Sequence, residues 1–476
     1  MEDSIEYSNE KKKIEVKDAK DIEISIRDVA VPFLITVLIS FTLFTLCFFF
    51  LPGVFRAFEL IGLIFFILGL SYGTIFGTCA ICIRYKPPPS PLAEYPKVSI
   101  VISVYNDGDV LDNSLGRMVD LGYPNYDIKI VYSTNSTDNS EAIAQKYAIK
   151  YAHIQALSES ISKGNACNVG IESSDAPYIL FLDADNFIKS GFLEYAVESL
   201  ENDPKLCCIQ ARPIGVNAND SRTRLTWVGT SYTAMANEGI CKIFKSAMYG
   251  GFGGMWRRKA LEDVNGFRTD VVSEDGDINC RFLAHQPHWR FKFDSHLRVY
   301  EYYPISLTTT YLAYYRWSRA TLSRFVRNLK YIFSTGSIRN SISIFMTNFF
   351  IFLGIITIFL AGIPIVQFFT SLIFHLPQSS NYAIIFFTIL PIAFILQIII
   401  FTHRGISGYG SCLSKKTIIF NSIISFLFTI PFAGIVTING IFDIIRRKKL
   451  VFIKTTKPSY DEENEKEITK PGVPKE

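Results

Sequence analysis

Residues 178–186, YILFLDADN, decide the fold. Five mostly apolar residues, Tyr178 to Leu182, stop at Asp183-Ala184-Asp185. A short apolar run bounded by turn residues predicts a fully buried strand, and open α/β sheets place their ligands at the carboxyl ends of such strands. Two carboxylates one residue apart at that end can converge on one hard divalent cation, Mg2+ or Mn2+. Such ions take one or two carboxylates and fill their shell with water and substrate phosphates. Asp183 and Asp185 are therefore candidate metal ligands. For an isolated pair the plain alternative is an Asp-capped turn; the flanking sequence decides against it.

Upstream, residues 98–105 (VSIVISVY) read as a first buried strand, followed by the turn Asn106-Asp107-Gly108 and a helix reaching about Leu121. Residues 127–133 give a second strand, and Asn135-Ser136-Thr137-Asp138 starts a well-capped helix. A third strand near 153–157 leads into Ser162-Lys163-Gly164-Asn165 and another helix. Strands alternating with helices predict a mostly parallel sheet covered on both faces.

Beyond this domain the charge is unevenly spread. Of 476 residues 49% are hydrophobic and 19% charged, and blocks 29–55, 60–83, 340–403 and 417–442 contain no Asp, Glu, Lys or Arg. About 20 apolar residues span a bilayer core, so the expectation is a multi-pass membrane protein. Lys11, Lys12, Lys13, Lys17, Lys20 and Arg27 before the first block, and Arg84 and Lys86 after the second, place both sides in the cytoplasm. The expected division is a cytoplasmic tail (1–28), two transmembrane helices (29–84), a catalytic domain (85–305), amphipathic interfacial helices (306–339), three or four transmembrane or re-entrant helices (340–445) and a basic juxtamembrane segment with a disordered tail (446–476). A net charge of +4 is too small to argue for nucleic acid. Nine cysteines without framework spacing suit a reducing compartment. Cys79-x-x-Cys82 and His285-x-x-His288 read as packing residues.

The motifs together resemble family 2 glycosyltransferases. The likeness is carried by residues 98–106, Ser136-Thr137-Asp138-Asn139-Ser140, Lys163-Gly164-Asn165-Ala166, FLDADN, Gly253-Gly254-Met255-Trp256-Arg257-Arg258, Val272-Ser273-Glu274-Asp275 and Tyr315-Arg316-Trp317, in order. With the apolar blocks, the pattern looks like the membrane-bound branch of hyaluronan, chitin and cellulose synthases and ceramide glucosyltransferase. The resemblance implies a Rossmann-like α/β GT-A domain inserted between N- and C-terminal transmembrane helices. It also implies an inverting hexosyl- or N-acetylhexosaminyltransferase that uses a nucleotide-diphosphate sugar at the cytoplasmic membrane face, with a glycan or lipid-linked acceptor.

Roles follow from the resemblance and from charge. Asp185, with Asp183 beside it, would hold the cation against a leaving diphosphate, and Asp183 would also face the ribose. Ser103, Tyr105, Thr134 and Lys163 match positions that line the nucleotide. Ser133-Thr134 stands where the family usually has an acidic pair, so a UDP-sugar is favoured while GDP- and dTDP-sugars stay open. Asp275 is the candidate general base, with Asp277 as the fallback. Gly254, Glu274, Arg316 and Trp317 are assigned to the acceptor and diphosphate. Tyr311, Tyr315 and Arg319 share one helical face, expected at a membrane surface. Ala313 and Tyr314 replace the Gln and first variable position of the QxxRW box, which weakens a processive synthase relative to a single-transfer enzyme. After the basic run Arg446 to Lys449, Phe452, Thr455 and Lys457 form FxxTxK, which resembles a gating loop and is assigned as a lid. The alternatives are a polysaccharide synthase that also translocates its product, and a membrane scaffold with a degenerate domain.

Overall fold

The computed structural model describes residues 16–18, 38, 42, 45–47, 49–82, 91–217, 223–244, 249–286, 288–345, 392–393, 395–400, 415–424, 430–448 and 452–454. A short strand β1 (Val16–Asp18) and a long helix α1 (Pro52–Cys82) precede the sheet domain. The domain then runs β2 (Val98–Val104), α2 (Gly108–Gly116), β3 (Tyr126–Ser133), α3 (Ser140–Lys150), β4 (Ile154–Glu159), α4 (Lys163–Glu172), β5 (Tyr178–Asp183) and α5 (Phe192–Asn202). Its second half is β6 (Leu206–Gly215), α6 (Arg224–Phe244), β7 (Gly254–Arg257), α7 (Arg258–Asp263), α8 (Glu274–His285) and β8 (Arg290–Glu301). Helices α9 (Leu307–Ser334), α10 (Lys415–Ile424) and α11 (Ile430–Ile445) follow, with a last strand β9 (Phe452–Lys454).

The main sheet has seven strands in the order β4-β3-β2-β5-β7-β6-β8. Strands β2 to β5 are mutually parallel, and β7 alone runs against its neighbours β5 and β6. The predicted buried run of β5 alternates between two cores, because successive side chains leave opposite faces of a strand. Tyr178, Leu180 and Leu182 pack with Leu111, Leu115 and Leu200 of α2 and α5. Ile179 and Phe181 pack with Cys167, Trp256 and Phe282 on the other face. This double burial is why the strand reads as continuously apolar. The register then fixes the site: Ser103 lies opposite Asp183, and Ser133 opposite Glu159, all at carboxyl ends.

The multi-pass membrane expectation is overturned. Among the described residues no helix is long and apolar enough to cross a membrane. The apolar stretches that are described dock on the domain instead. Phe76 of α1 packs with Ala236 and Ile240 of α6, and Lys242 of α6 donates to the Ala80 carbonyl at 2.7 Å while pairing with Glu238 at 2.7 Å. The face of α9 expected at a bilayer surface meets α11: Tyr315 donates to Asp443, Tyr311 Oη accepts from Asn439 at 2.8 Å, and Arg319 donates to the Lys448 carbonyl at 2.9 Å. Block 340–403 lies outside the described residues except for 340–345, 392–393 and 395–400. One pairing had no sequence signal: β9 lies parallel to β1, with Val16 opposite Phe452.

Candidate active site

The carboxyl ends of β2 to β5 open into a cavity of about 1050 Å³. Ser103 and Tyr105 leave β2 into its wall, Lys163 enters from the first turn of α4, and Asp183 and Asp185 close the end of β5. Glu274 and Asp275 come from the first turn of α8, and Arg316 and Trp317 from α9. Nine of the sequence-assigned residues thus meet around one space.

Local structure explains each placement. Ser162 caps α4 by accepting the Asn165 amide at 3.3 Å, and the Glu159 carboxylate accepts the Ile161 amide at 2.6 Å and the Ser162 amide at 3.0 Å. That bracing aims Lys163 inward. Gly164 is needed beside it, since a Cβ there would sit 2.2 Å from the Arg268 carbonyl oxygen on the loop leading to α8. Asn186 steadies the Asp183-Ala184-Asp185 turn, its side-chain carbonyl accepting the Asp183 amide at 3.0 Å. Asp185 is fully buried and accepts from the Tyr302 amide at 3.3 Å and from Asn186 Nδ2 at 3.4 Å.

Charge is concentrated here. Lys163 Nζ is 2.5 Å from Asp183 Oδ1 and 3.9 Å from Glu274 Oε1. Burial disfavours its ammonium, but the two carboxylates outweigh burial and hold its pKa above the ordinary lysine value. Burial pushes Glu274 up to about 7, with Lys163 opposing and Asp275 adding to the rise. Burial also lowers Arg316, which the carboxylates of Asp183, Glu274, Asp275 and Asp107 counteract. A carboxyl whose pKa is raised on folding binds its proton more tightly when folded, so Glu274 costs stability as pH climbs from about 4.5 through 7. Glu274→Gln is therefore expected to stabilise the protein at pH 8, on the order of 2 kcal/mol, and little at pH 5. Thermal melts at the two pH values check this; a gain confined to pH 5 would contradict it.

Asp275 is held by a relay. Ser273 Oγ donates to Asp275 Oδ1 at 2.8 Å, and Arg324 of α9 donates to Ser273 Oγ at 3.1 Å. Gly276 makes room, because a Cβ there would collide with the Arg324 guanidinium at 1.5 Å. A hydrogen bond to a charged group contributes about 1.5–3 kcal/mol, so Ser273→Ala is expected to lower transfer by at least roughly tenfold. Unchanged steady-state turnover of Ser273→Ala would show that the relay is idle.

Three assignments move. Thr134 is exposed outside the cavity, its amide donating to the Glu159 carbonyl at 2.7 Å, while Ser133 and Asn135 take the wall. Gly254 is buried in β7 opposite Phe181, where a Cβ would meet the Tyr249 ring at 2.6 Å, and Gly250 to Phe252 line the cavity instead. Asp277 is fully buried and paired with Arg281 at 2.8 Å, which leaves Asp275 as the carboxylate facing the cavity. Phe452 sits in β9, and Thr455 and Lys457 lie outside the described residues. His285 meets Tyr331 edge-on and His288 tilts against Trp289, both packing contacts. Glu159 and the α6 side of the cavity were missed, although Glu159 ends a strand four residues before Lys163.

Among the described residues no group of three His, Cys, Asp or Glu is disposed to hold a metal. That does not conflict with a site of the magnesium type, which needs only one or two carboxylates beside substrate phosphates. Asp185, fully buried at the cavity wall one residue from Asp183, fits such a ligand.

Comparison with known proteins agrees with this geometry. Residues 99–264 match the model of glycosyl transferase family 2. The probable glycosyltransferase YdaM of Bacillus subtilis is 30% identical over 208 residues, 42% of this chain and 50% of that protein. The poly-beta-1,6-N-acetyl-D-glucosamine synthase of Staphylococcus aureus (strain MSSA476) is 23% identical over 247 residues, 50% of this chain and 58% of its own. A probable glucomannan 4-beta-mannosyltransferase 7 of Oryza sativa is 28% identical over 244 residues, covering 47% and 40%. The chain therefore spans about half the length of the curated relatives it matches. Among solved structures, the mannosyltransferase PcManGT from Pyrobaculum calidifontis, in complex with GDP-Man and Mn2+, superposes with a TM-score of 0.54 at 15% identity, over 74% of this chain and 100% of that one, which supports the fold. With the strand order, the DxD turn and the Glu274-Asp275 pair already in place, residues 99–264 are similar to glycosyl transferase family 2, and the sheet has a GT-A-like fold.

Proposed function

We propose that the protein moves a sugar from a nucleoside-diphosphate sugar to an acceptor hydroxyl with inversion at the anomeric carbon. The observation that carries this is the convergence of Lys163, Asp183, Glu274, Asp275 and Arg316 on one cavity at the strand ends. The cations supply a seat for a diphosphate, and Asp275 supplies a base on the α8 side. In the reaction the acceptor oxygen forms a bond to the anomeric carbon as the bond from that carbon to the β-phosphate oxygen breaks. The acceptor proton passes to Asp275, and the departing nucleoside diphosphate keeps the electron pair. Arg316 and Lys163 meet the charge that develops, and such preorganised electrostatic stabilisation is commonly the largest part of catalysis. Asp185, with Asp183, would hold a Mg2+ or Mn2+ ion that neutralises the diphosphate when bound.

The donor end is polar where the base would lie, with Ser133, Asn135 and the Glu159 carboxylate in the wall. A UDP-sugar is the first donor to test, with GDP- and dTDP-sugars beside it. Calorimetric titration of the full chain with UDP, GDP and dTDP in the presence of Mn2+ tests the donor assignment. Saturable binding of one of the three, weakened by Lys163→Ala, is expected; binding of none would reject it.

A further inference from the structure

We infer that the arm of the cavity beyond the reaction centre, floored by β6 and β8 and walled by α6, is a binding site for a neutral oligosaccharide. This rests on the transferase assignment for its position, and it names the chemistry of the acceptor.

The sheet order separates the two ends. The donor residues lie on β2 to β5, whereas Gln210 and Pro213 on β6 and Phe293 and Glu301 on β8 line the same cavity from the opposite half of the sheet. At about 1050 Å³ the space is at the upper limit of the roughly 300–1,000 Å³ usual for a small-molecule site, so it has room for a second ligand.

The arm's wall is a polar helix face. Thr226, Thr230, Thr233 and Asn237 of α6 all line it, spaced four, three and four residues apart, which is one side of a helix. Thr230 donates to the Thr226 carbonyl and Thr233 to the Gly229 carbonyl, both at 2.9 Å. Those hydroxyl protons are committed to the helix; the Thr230 oxygen already meets the Tyr303 hydroxyl, and the Thr233 oxygen is left to accept from a ligand. Asn237 Oδ1 is buried without a hydrogen-bond partner, and its side chain belongs to this same wall. A buried acceptor left unmade costs free energy, and a ligand hydroxyl would supply the missing donor.

The facing wall is aromatic, with Tyr303 and Tyr314 leading to Trp317, which is 47% exposed. Among the described residues of the arm there is one carboxylate, Glu301, and no lysine or arginine, whereas the donor end carries Lys163 and Arg316. Acceptor oxygens and ring faces without cations suit a polyhydroxylated, uncharged ligand: its hydroxyls donate and its C–H faces lie on the rings. A phosphate or uronate would meet Glu301 and no counter-charge. An acyl chain would strand the threonine and asparagine oxygens.

Gly229 offers a plug. A Cβ there would rest 3.5 Å from Tyr314 Oη, an ordinary contact, so Gly229→Ala fits and Gly229→Leu fills the arm. Tryptophan fluorescence of the full chain is titrated, without donor, with cellotetraose, chitotetraose and mannotetraose, and with a hyaluronan tetrasaccharide as the anionic comparator. Wild type and Gly229→Ala are expected to bind at least one neutral tetrasaccharide in preference to the anionic one, and Gly229→Leu to bind it at least about tenfold more weakly. Asn237→Leu should weaken binding in the same direction. With donor present, Gly229→Leu should still release nucleoside diphosphate to water while losing transfer to the tetrasaccharide; absence of release in wild type would count against the donor assignment alone. No binding of any neutral tetrasaccharide, preference for the anionic one, or unchanged affinity in a folded Gly229→Leu protein would overturn the inference.

Discussion

Asp275→Asn is expected to lower sugar transfer by about 10²–10⁴-fold, the usual contribution of general-base catalysis, while donor binding persists. The asparagine keeps the volume and still accepts the Ser273 hydroxyl bond seen at 2.8 Å, so α8 need not move. What is lost is a group that can take the acceptor proton. The alternative carboxylate is occupied: Asp277 is fully buried against Arg281, whose guanidinium also donates to the Val264 and Gly266 carbonyls. Removing one partner of such a pair leaves a buried charge uncompensated, at about 3–5 kcal/mol. Asp277→Asn should accordingly lower the melting temperature, and Asp275→Asn should lower turnover in a folded protein. The opposite pattern would exchange their roles.

Asp185→Asn is expected to remove most turnover together with the response to divalent cation. The carboxylate is fully buried at the cavity wall, one residue beyond Asp183 at the end of β5. Asp183 is less suited to act alone, because Lys163 lies 2.5 Å from it. Chelation should stop wild-type transfer and added Mn2+ restore it; in Asp185→Asn added Mn2+ should restore little. Turnover that survives both the substitution and a chelator would contradict the cation's place in the site.

The half of the sheet formed by β2 to β5 was legible because its strands announce themselves. Residues 98–104 and 178–183 are almost entirely buried and end at polar turns, so strand and burial are visible together. The other half was not. Strand β7 is four residues, GMWR, too short to show a period, and β6 carries a bulge that breaks its register. Thr134 was misplaced by one residue of pleat: Ser133 ends the strand beside Glu159, and the next residue leaves the cavity. The polar face of α6 was hidden because Ala236 and Ile240 on another face pack against α1. The apolar blocks misled for a related reason. A charge-free run is the same in a helix that crosses a bilayer and in one that docks on other helices, and Lys242, Tyr311 and Arg319, which tie α1 and α11 to the domain, lie far away in the chain.

The central claim is inverting transfer from a nucleoside-diphosphate sugar. The full chain, with Mn2+ and a neutral tetrasaccharide, is incubated with α-linked UDP- and GDP-sugars while the anomeric proton signals are followed by NMR. The account predicts that one donor is consumed, nucleoside diphosphate is released and a new β-linked signal grows in step with it. A product that keeps the α configuration, or no consumption of any donor, would contradict it.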